Sequence, residues 1–244
     1  MNYKETLEYI HSIPKFNRIL GNALLEKLLN KMGNPQDNLK FIHIGGTNGK
    51  GSTCTMVSQI LTEAGYKTGL FTSPFLKFFN ERIKINGVPI SNSDLADIAS
   101  YVKKITEKYD AFVSEFAFDT AVAFEYFNRQ NCDFVILEVG LGGKLDATNI
   151  IKNPLVVGFT AIGLDHCQYL GNTIDEISKE KASNTTSFTL SSVFCESQRE
   201  TGRDEANSHV LVLASNPHAI PFFSGWLYIN TFVLFGKSTV ALYK

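Results

Sequence analysis

A chain of 244 residues, 44% of them hydrophobic, is long enough for one large or two small domains and apolar enough to bury a sizeable core. Its 23 Lys and Arg against 24 Asp and Glu leave a formal net charge of −1, which gives no electrostatic case for a nucleic-acid or anionic-membrane partner. Cys54, Cys132, Cys167 and Cys195 are scattered without a C-x-x-C pair, which argues against a disulfide framework or a zinc site and fits the cytoplasm; residues 1–5 open without an apolar run, so no signal peptide is expected.

Residues 2–12 and 21–32 read as two helices, the second with Leu24, Leu25, Leu28 and Leu29 on one face. Between them, Ser12-Ile13-Pro14-Lys15-Phe16-Asn17-Arg18 mixes basic and aromatic residues, suited to a flat anionic ligand or to plain connection. Gly33-Asn34-Pro35 punctuates the chain before Phe41-Ile42-His43-Ile44, which reads as the first buried strand.

Gly45-Gly46-Thr47-Asn48-Gly49-Lys50-Gly51-Ser52-Thr53 follows, and Met56, Val57, Ile60 and Leu61 then recur at helical spacing. Strand, glycine turn, lysine and helix is the layout of a phosphate cradle. Glycines let backbone N–H groups approach phosphate oxygens, the helix N-terminus adds partial positive charge, and Lys50 is placed for the terminal phosphates. The strict P-loop pattern is not met: Ile44 stands where it has glycine, and Gly51 where it has the hydroxyl that serves Mg²⁺. That hydroxyl must come from Ser52, Thr53 or elsewhere.

Residues 67–71 read as a strand ending in Thr72-Ser73-Pro74, which puts Ser73 near Lys50 if the two strands are neighbours. Residues 81–86 read as a strand entering an Asn86-Gly87 turn, and 92–108 as an amphipathic helix capped by Asn92 or Ser93. Residues 116–127, apolar at nearly every position, read as a buried helix. The strand 133–139 ends at Glu138, a carboxylate suited to Mg²⁺, before the glycine-rich loop from Gly140 to Asn149. Residues 155–162 form another strand, followed by Gly163-Leu164-Asp165-His166, and 173–182 a short helix. Strands alternating with helices predict an α/β fold: a mostly parallel, doubly wound sheet flanked by helices, with the loops after residues 44, 71, 139 and 162 meeting at one edge.

Several segments together resemble the folylpolyglutamate synthase / dihydrofolate synthase family of the Mur ligase superfamily. They are Gly33-Asn34-Pro35; Gly46-Thr47-Asn48-Gly49-Lys50-Gly51-Ser52; Thr72-Ser73-Pro74 with Asn80-Glu81-Arg82-Ile83; Leu137-Glu138-Val139-Gly140-Leu141-Gly142-Gly143 with Leu145-Asp146-Ala147-Thr148-Asn149; Gly163-Leu164-Asp165-His166 with Tyr169-Leu170-Gly171; and Glu180-Lys181-Ala182. The resemblance covers roughly residues 1–182 and implies a P-loop domain like the Mur ligase central domain.

It also implies a reaction: ATP phosphorylates a pteroyl carboxylate, and the amine of L-glutamate attacks the acyl phosphate to make an amide. The substrates would be dihydropteroate or tetrahydrofolate. By this resemblance Thr47, Asn48, Gly49, Lys50, Gly51 and Ser52 bind ATP. Ser73, Glu138 and His166 are the Mg²⁺ ligands, so that Ser73 supplies the hydroxyl Gly51 lacks. Lys50 and Lys181 are the catalytic lysines, with Lys181 matching a lysine that takes up CO₂ as a carbamate. Ser114, Glu115 and Phe116, with Leu145, Asp146 and Ala147, match stretches on the pterin side. Ala117 falls where many relatives carry Glu, Phe75 where many carry His, and Lys144 where Arg is usual. The expectation is a cytoplasmic monomer acting on small molecules, without nucleic-acid or membrane partners.

After Ala182 the family pattern stops. Residues 183–202 are rich in Ser and Thr, and 206–236 carry no Asp, Glu, Lys or Arg. The expected division is therefore an ATP-binding domain over 1–182 and a non-familial tail over 183–244 in place of the usual glutamate-binding domain. A shifted reading frame, divergent sequence, or a short membrane span over 219–235 are the readings of that tail. A truncated, non-catalytic nucleotide-binding remnant is the alternative to an active ligase. A Mur-type peptidoglycan ligase is disfavoured by Gly51 after the lysine and by Thr72-Ser73-Pro74.

Overall fold

The computed structural model describes residues 1–15, 22–182 and 212–215. The chain opens with helix α1 (Tyr3–Ser12), started by a capping box in which Asn2 and Glu5 satisfy each other's backbone N–H groups. Helix α2 (Ala23–Lys31) follows, burying Leu25, Leu28 and Leu29 while Leu24 is only half-buried. The residues from Phe16 to Gly21, and with them Phe16, Asn17 and Arg18 of the basic and aromatic loop, lie outside the described residues.

Strand β1 (Phe41–Gly45) leads into helix α3 (Lys50–Glu63), and β2 (Thr68–Phe71) into a 3-10 turn at Phe79–Arg82. The hairpin β3 (Ile83–Ile85) and β4 (Val88–Pro89) precedes the long helices α4 (Asn92–Tyr109) and α5 (Glu115–Arg129). Strands β5 (Phe134–Glu138) and β6 (Val156–Phe159), short helix α6 (Cys167–Leu170) and α7 (Ile174–Ala182) complete the main body. Strand β7 (Val212–Ser215) comes from the segment without family pattern and pairs antiparallel with β6. The rest of that segment, including 219–235, lies outside the described residues. Among the described residues no helix is long and apolar enough to cross a membrane.

The sheet order is β4-β3-β2-β5-β1-β6-β7, with β2, β5, β1 and β6 mutually parallel and antiparallel strands at both margins. The expected mostly parallel, helix-flanked α/β sheet is what forms. The period-2 alternation of strand side chains divides the core. Ile44, Leu70 and Ile136 pack with Cys54, Val57 and Leu61 on the α3 face. Phe41, Phe71, Val135 and Leu137 join the larger core on the other face, where α1, α2, α4 and α5 contribute Ile10, Leu28, Val102 and Phe124. Glu138 is two residues after Ile136 and so falls on the α3 face, level with Ile44 in the register. Period and register together thus bring a carboxylate to the start of the phosphate-loop helix.

Four details differ from the sequence expectation. Strand β5 lies between β1 and β2, so Ser73 and Lys50 are not on neighbouring strands. Residues 81–82 belong to a 3-10 turn rather than a strand, because Glu81 Oε2 accepts the N–H groups of Leu76 (2.8 Å) and Lys77 (3.3 Å) and closes the chain on itself. The cap of α4 is Ser91, one residue before the expected pair, with its hydroxyl accepting the Asp94 N–H at 3.0 Å. On α3, Val57 and Leu61 pack on the sheet, but Met56 and Ile60 stand 42% and 52% exposed, since only part of the apolar stripe meets β1, β2 and β5.

Candidate active site

The loop after β1 folds back over the end of β6. Thr47 and Asn48 donate their N–H groups to Ala161 O at 2.8 and 3.3 Å, and Thr47 Oγ1 is bonded to both the carbonyl and the N–H of Gly163. Gly46 has φ +132°, and a side chain there would overlap Thr160, so glycine is required on both counts. Gly49, at φ +84°, caps α3, and the first intrahelical bond is Thr53 N–H to Gly49 O. The N–H groups of Lys50, Gly51 and Ser52 precede that bond and form the anion-favouring helix end. Lys50 Nζ lies folded on its own loop, donating to Thr47 O at 3.1 Å.

Glu138 is 5% exposed. Burial pushes its carboxyl above the usual carboxylate range, and the Ser73 N–H, the Lys50 charge and the Gly51 N–H pull it back. The Ser73 N–H donates to Oε2 at 3.0 Å. A Cβ at residue 51 would stand 3.4 Å from the same oxygen, an ordinary contact distance, so Gly51 lies directly against the carboxylate. Glu138 therefore links Ser73 and Lys50 although their strands are not adjacent. His166 lies in the left-handed region at φ 49°, caps α6 and faces Asp165 with Nε2 to Oδ2 at 3.5 Å. Among the described residues no cluster of three or more His, Cys, Asp or Glu side chains is arranged to hold an ion.

Lys181 is 4% exposed at the end of α7 and donates from Nζ to Gly46 O at 2.9 Å. Burial, then the nearby Lys50 charge, lowers its amine to about 8. Helix α7 reaches the loop because Gly143 has no side chain: a Cβ there would overlap Glu180 O. A lysine that reads from sequence as a surface residue is thus delivered to the phosphate loop.

Beside these groups is a cavity of about 780 Å³, whose wall includes Ser73, Gly140, Gly142 and His166 and also Phe116 and Asp146. The expected pterin-side residues Ser114, Glu115, Phe116, Leu145, Asp146 and Ala147 all line it. Their states differ. Ser114 caps α5, accepting the Ala117 N–H, and Phe116 stacks on Phe71 at 5.6 Å. Glu115 pairs with His11, Oε1 to Nδ1 at 3.0 Å, Leu145 is 59% exposed, and Ala147 contributes a methyl. Asp146 is fully engaged: Oδ1 accepts the Thr148 N–H at 2.9 Å and the Thr148 hydroxyl, and Oδ2 accepts the Leu141 N–H at 2.8 Å. Buried His43 supports this network through Nε2 to Thr148 Oγ1 at 2.8 Å, and burial lowers its imidazole to about 4, keeping it neutral.

Sequence reasoning passed over Asp119 and the partner it finds in Arg82, both of which line the cavity. The signal was available: Asp119 is a charge inside the apolar 116–127 helix, a position that demands a partner.

Sheet order, loop and strand-end carboxylate define a nucleotide-binding α/β domain of the P-loop kind. The model of the Mur ligase middle domain matches residues 44–195, and the chain belongs to that family, in its folylpolyglutamate and dihydrofolate synthase branch. It is 41% identical over 187 residues to the folylpolyglutamate synthase of Lacticaseibacillus casei, covering 75% of this chain and 44% of that protein. Among solved structures, the FPGS–AMPPCP–folate complex superimposes with a TM-score of 0.72 at 41% identity, covering 75% of this chain and 46% of that one. E. coli FolC in complex with DHPP and ADP does so with a TM-score of 0.70 at 32% identity, covering 75% and 44%. The chain spans less than half the length of these relatives.

Proposed function

We propose that this chain carries the ATP-binding part of a ligase that joins L-glutamate to the carboxyl group of dihydropteroate or tetrahydrofolate through an acyl phosphate. The observation that carries the proposal is the shared cavity: Ser73, the Gly140–Gly142 loop and His166 line it together with Ser114, Phe116 and Asp146, and Ser73 ties it to the phosphate-loop edge through its N–H bond to Glu138. A flat substrate on the aromatic wall would direct its carboxylate toward the phosphate loop. The complexes of relatives with folate and AMPPCP, and with DHPP and ADP, support both halves of this reading.

The helix N-terminus at Lys50, Gly51 and Ser52 would hold the phosphates, with Thr47, Asn48 and Gly49 shaping the loop. Lys50 would swing from Thr47 O to offset the charge on the transferred phosphoryl group. The residues present suit Mg²⁺: it takes one or two carboxylates, keeps water and completes its shell with phosphate, and Glu138 is a buried carboxylate whose charge is only partly offset. Glu138, with the Ser73 hydroxyl and His166, would hold it. Bound there, Mg²⁺ would supply charge stabilisation on the phosphates.

Lys181, lowered to about 8, presents a neutral amine fraction near neutral pH. Its nitrogen would bond to the carbon of CO₂ and lose a proton, leaving an anionic oxygen in place of a cation. Local unlocking from Gly46 O would have to precede that step.

The deciding experiment supplies the 244-residue chain with ATP, Mg²⁺, bicarbonate, glutamate and either dihydropteroate or tetrahydrofolate, and follows ADP and the new amide. Turnover supports the ligase. ATP binding without turnover identifies a nucleotide-binding module that does not ligate by itself, and absence of ATP binding overturns the proposal.

A further inference from the structure

Lys50 and Lys181, the cations of the phosphate edge, are both engaged, the first with Thr47 O and the second with Gly46 O. Arg82 is placed differently. It lines the cavity from the end of the 3-10 turn, with 14% of its side chain exposed. Its carbonyl accepts the Thr72 N–H at 2.9 Å, which seats it beside Ser73. Its side chain turns toward α5, where Asp119 follows Phe116 by about one helical turn. Arg82 therefore bridges the sheet edge and the aromatic wall.

Phe75 and Phe79 flank the guanidinium at 5.2 and 5.7 Å. Arg82 Nε stands 3.7 Å from Asp119 Oδ2, which gives attraction without a hydrogen bond. Among the described residues, Nε and Nη1 are enclosed without a hydrogen-bond partner, so Nη2 is the atom through which the guanidinium reaches the cavity. The carboxyl groups around it do not answer its charge. Burial pushes Asp119 up to about 8, so near neutral pH that carboxyl keeps its proton. Glu138 accepts the Ser73 and Gly51 N–H groups, and Glu115 is paired with His11. A buried cation without a counter-charge is costly, and a carboxylate matches a guanidinium in both charge and planarity.

We infer that Arg82 receives the substrate carboxylate that is to be phosphorylated and holds it between the aromatic wall and the phosphate loop. The inference rests on the proposed function, which supplies that carboxylate. In the transfer, a carboxylate oxygen bonds to the terminal phosphorus of ATP while the bond from that phosphorus to the bridging oxygen of ADP breaks. Arg82 gives up no proton: it orients the nucleophile and offsets its charge as it approaches the phosphates.

The test compares dihydropteroate with its carboxamide, the same molecule carrying a neutral amide in place of the carboxylate. Binding of each to the 244-residue chain is followed by pteridine fluorescence at neutral pH, without ATP or Mg²⁺; tetrahydrofolate and its γ-amide serve in the same way. Wild type should prefer the carboxylate by about tenfold or more, the scale of a charge-assisted bond. Arg82→Met keeps the apolar stem and removes the charge, and should bind the two ligands within about twofold of each other. Arg82→Lys should keep part of the preference, because the charge survives and the fork does not. A merely structural role would weaken both ligands alike, so the ratio of affinities is the readout. If Arg82→Met fails to fold, Arg82→Gln, neutral but still able to hydrogen bond, takes its place with the same expectation. Equal binding of acid and amide by wild type, or an undiminished preference in the neutral variant, overturns the inference alone. Failure of wild type to bind dihydropteroate or tetrahydrofolate overturns the proposed function, and the inference with it.

Discussion

Glu138 and Asp119 are both buried carboxylates beside the same cavity, yet the protein treats them in opposite ways. At the carboxyl edge of the sheet, Glu138 is answered by the Ser73 and Gly51 N–H groups and by Lys50. On the helical wall, Asp119 is answered by Arg82 at a distance that gives attraction without a hydrogen bond. Burial raises both carboxyls, but only Asp119 is pushed up to about 8. The difference teaches where each charge is meant to be completed. The sheet edge is preorganised from backbone dipoles, as suits a region that handles phosphate charge. On the helical wall, Asp119 and Arg82 are left with unpaired hydrogen-bonding atoms, and burial keeps the carboxyl protonated.

The largest effect should come from removing the cation at the sheet edge. Lys50→Ala is expected to abolish ATP binding, a loss beyond about 100-fold measured by calorimetric titration, and unchanged affinity would remove the loop from the site. Glu138→Ala and His166→Ala should each weaken the Mg²⁺-dependent part of nucleotide binding, by about tenfold or more for Glu138. Magnesium titrations indistinguishable from wild type would erase the assigned contrast between the two carboxylates.

Asp119 makes a pH prediction of defined sign. Its carboxyl keeps the proton up to about 8 in the folded chain, whereas 3.8 is the value for an unperturbed one. The unfolded chain therefore gives up the proton first. The folded state is favoured by this group at low pH, and that contribution is lost as pH rises from about 4 to 8. Denaturant titrations should show wild type losing a few kcal/mol relative to Asp119→Asn across that window. Parallel curves would mean that Arg82 fully compensates the charge. The smallest effect belongs to a position remote from either carboxylate: Ser91→Ala, which removes the cap of α4, should cost about 1 kcal/mol in the same titrations and leave ligand binding unchanged.

Much of the sheet edge was legible along the chain. Apolar runs ended by glycine, serine or glutamate announced strand ends, and the loops after β1, β2, β5 and β6 meet at one edge because parallel strands share a direction. Whether the strands before Ser73 and Lys50 are neighbours stayed open along the chain, because strand order depends on which strands pair across the sheet and no local pattern encodes β5 between β1 and β2. Lys181 shows the same limit. Its helix is amphipathic and charged, and only the absent side chain at Gly143 lets that helix close on Gly46 and bury the amine.

By itself the sequence determined the elements and the chemical inventory: a strand, a glycine turn and a helix around Lys50, a carboxylate at a strand end, and a charge within the apolar helix around Asp119. These depend on local backbone preference and on the 2- and 3.6-residue periods, which neighbouring residues carry. The tertiary structure alone decided how those charges are spent. Hydrogen bonds of about 3 Å and burial depend on segments far apart in the chain. Only the folded packing made Asp146 a brace for the Gly140–Gly142 loop, Glu138 the link between Ser73 and the phosphate loop, and Asp119 with Arg82 the unsatisfied pair at the cavity wall.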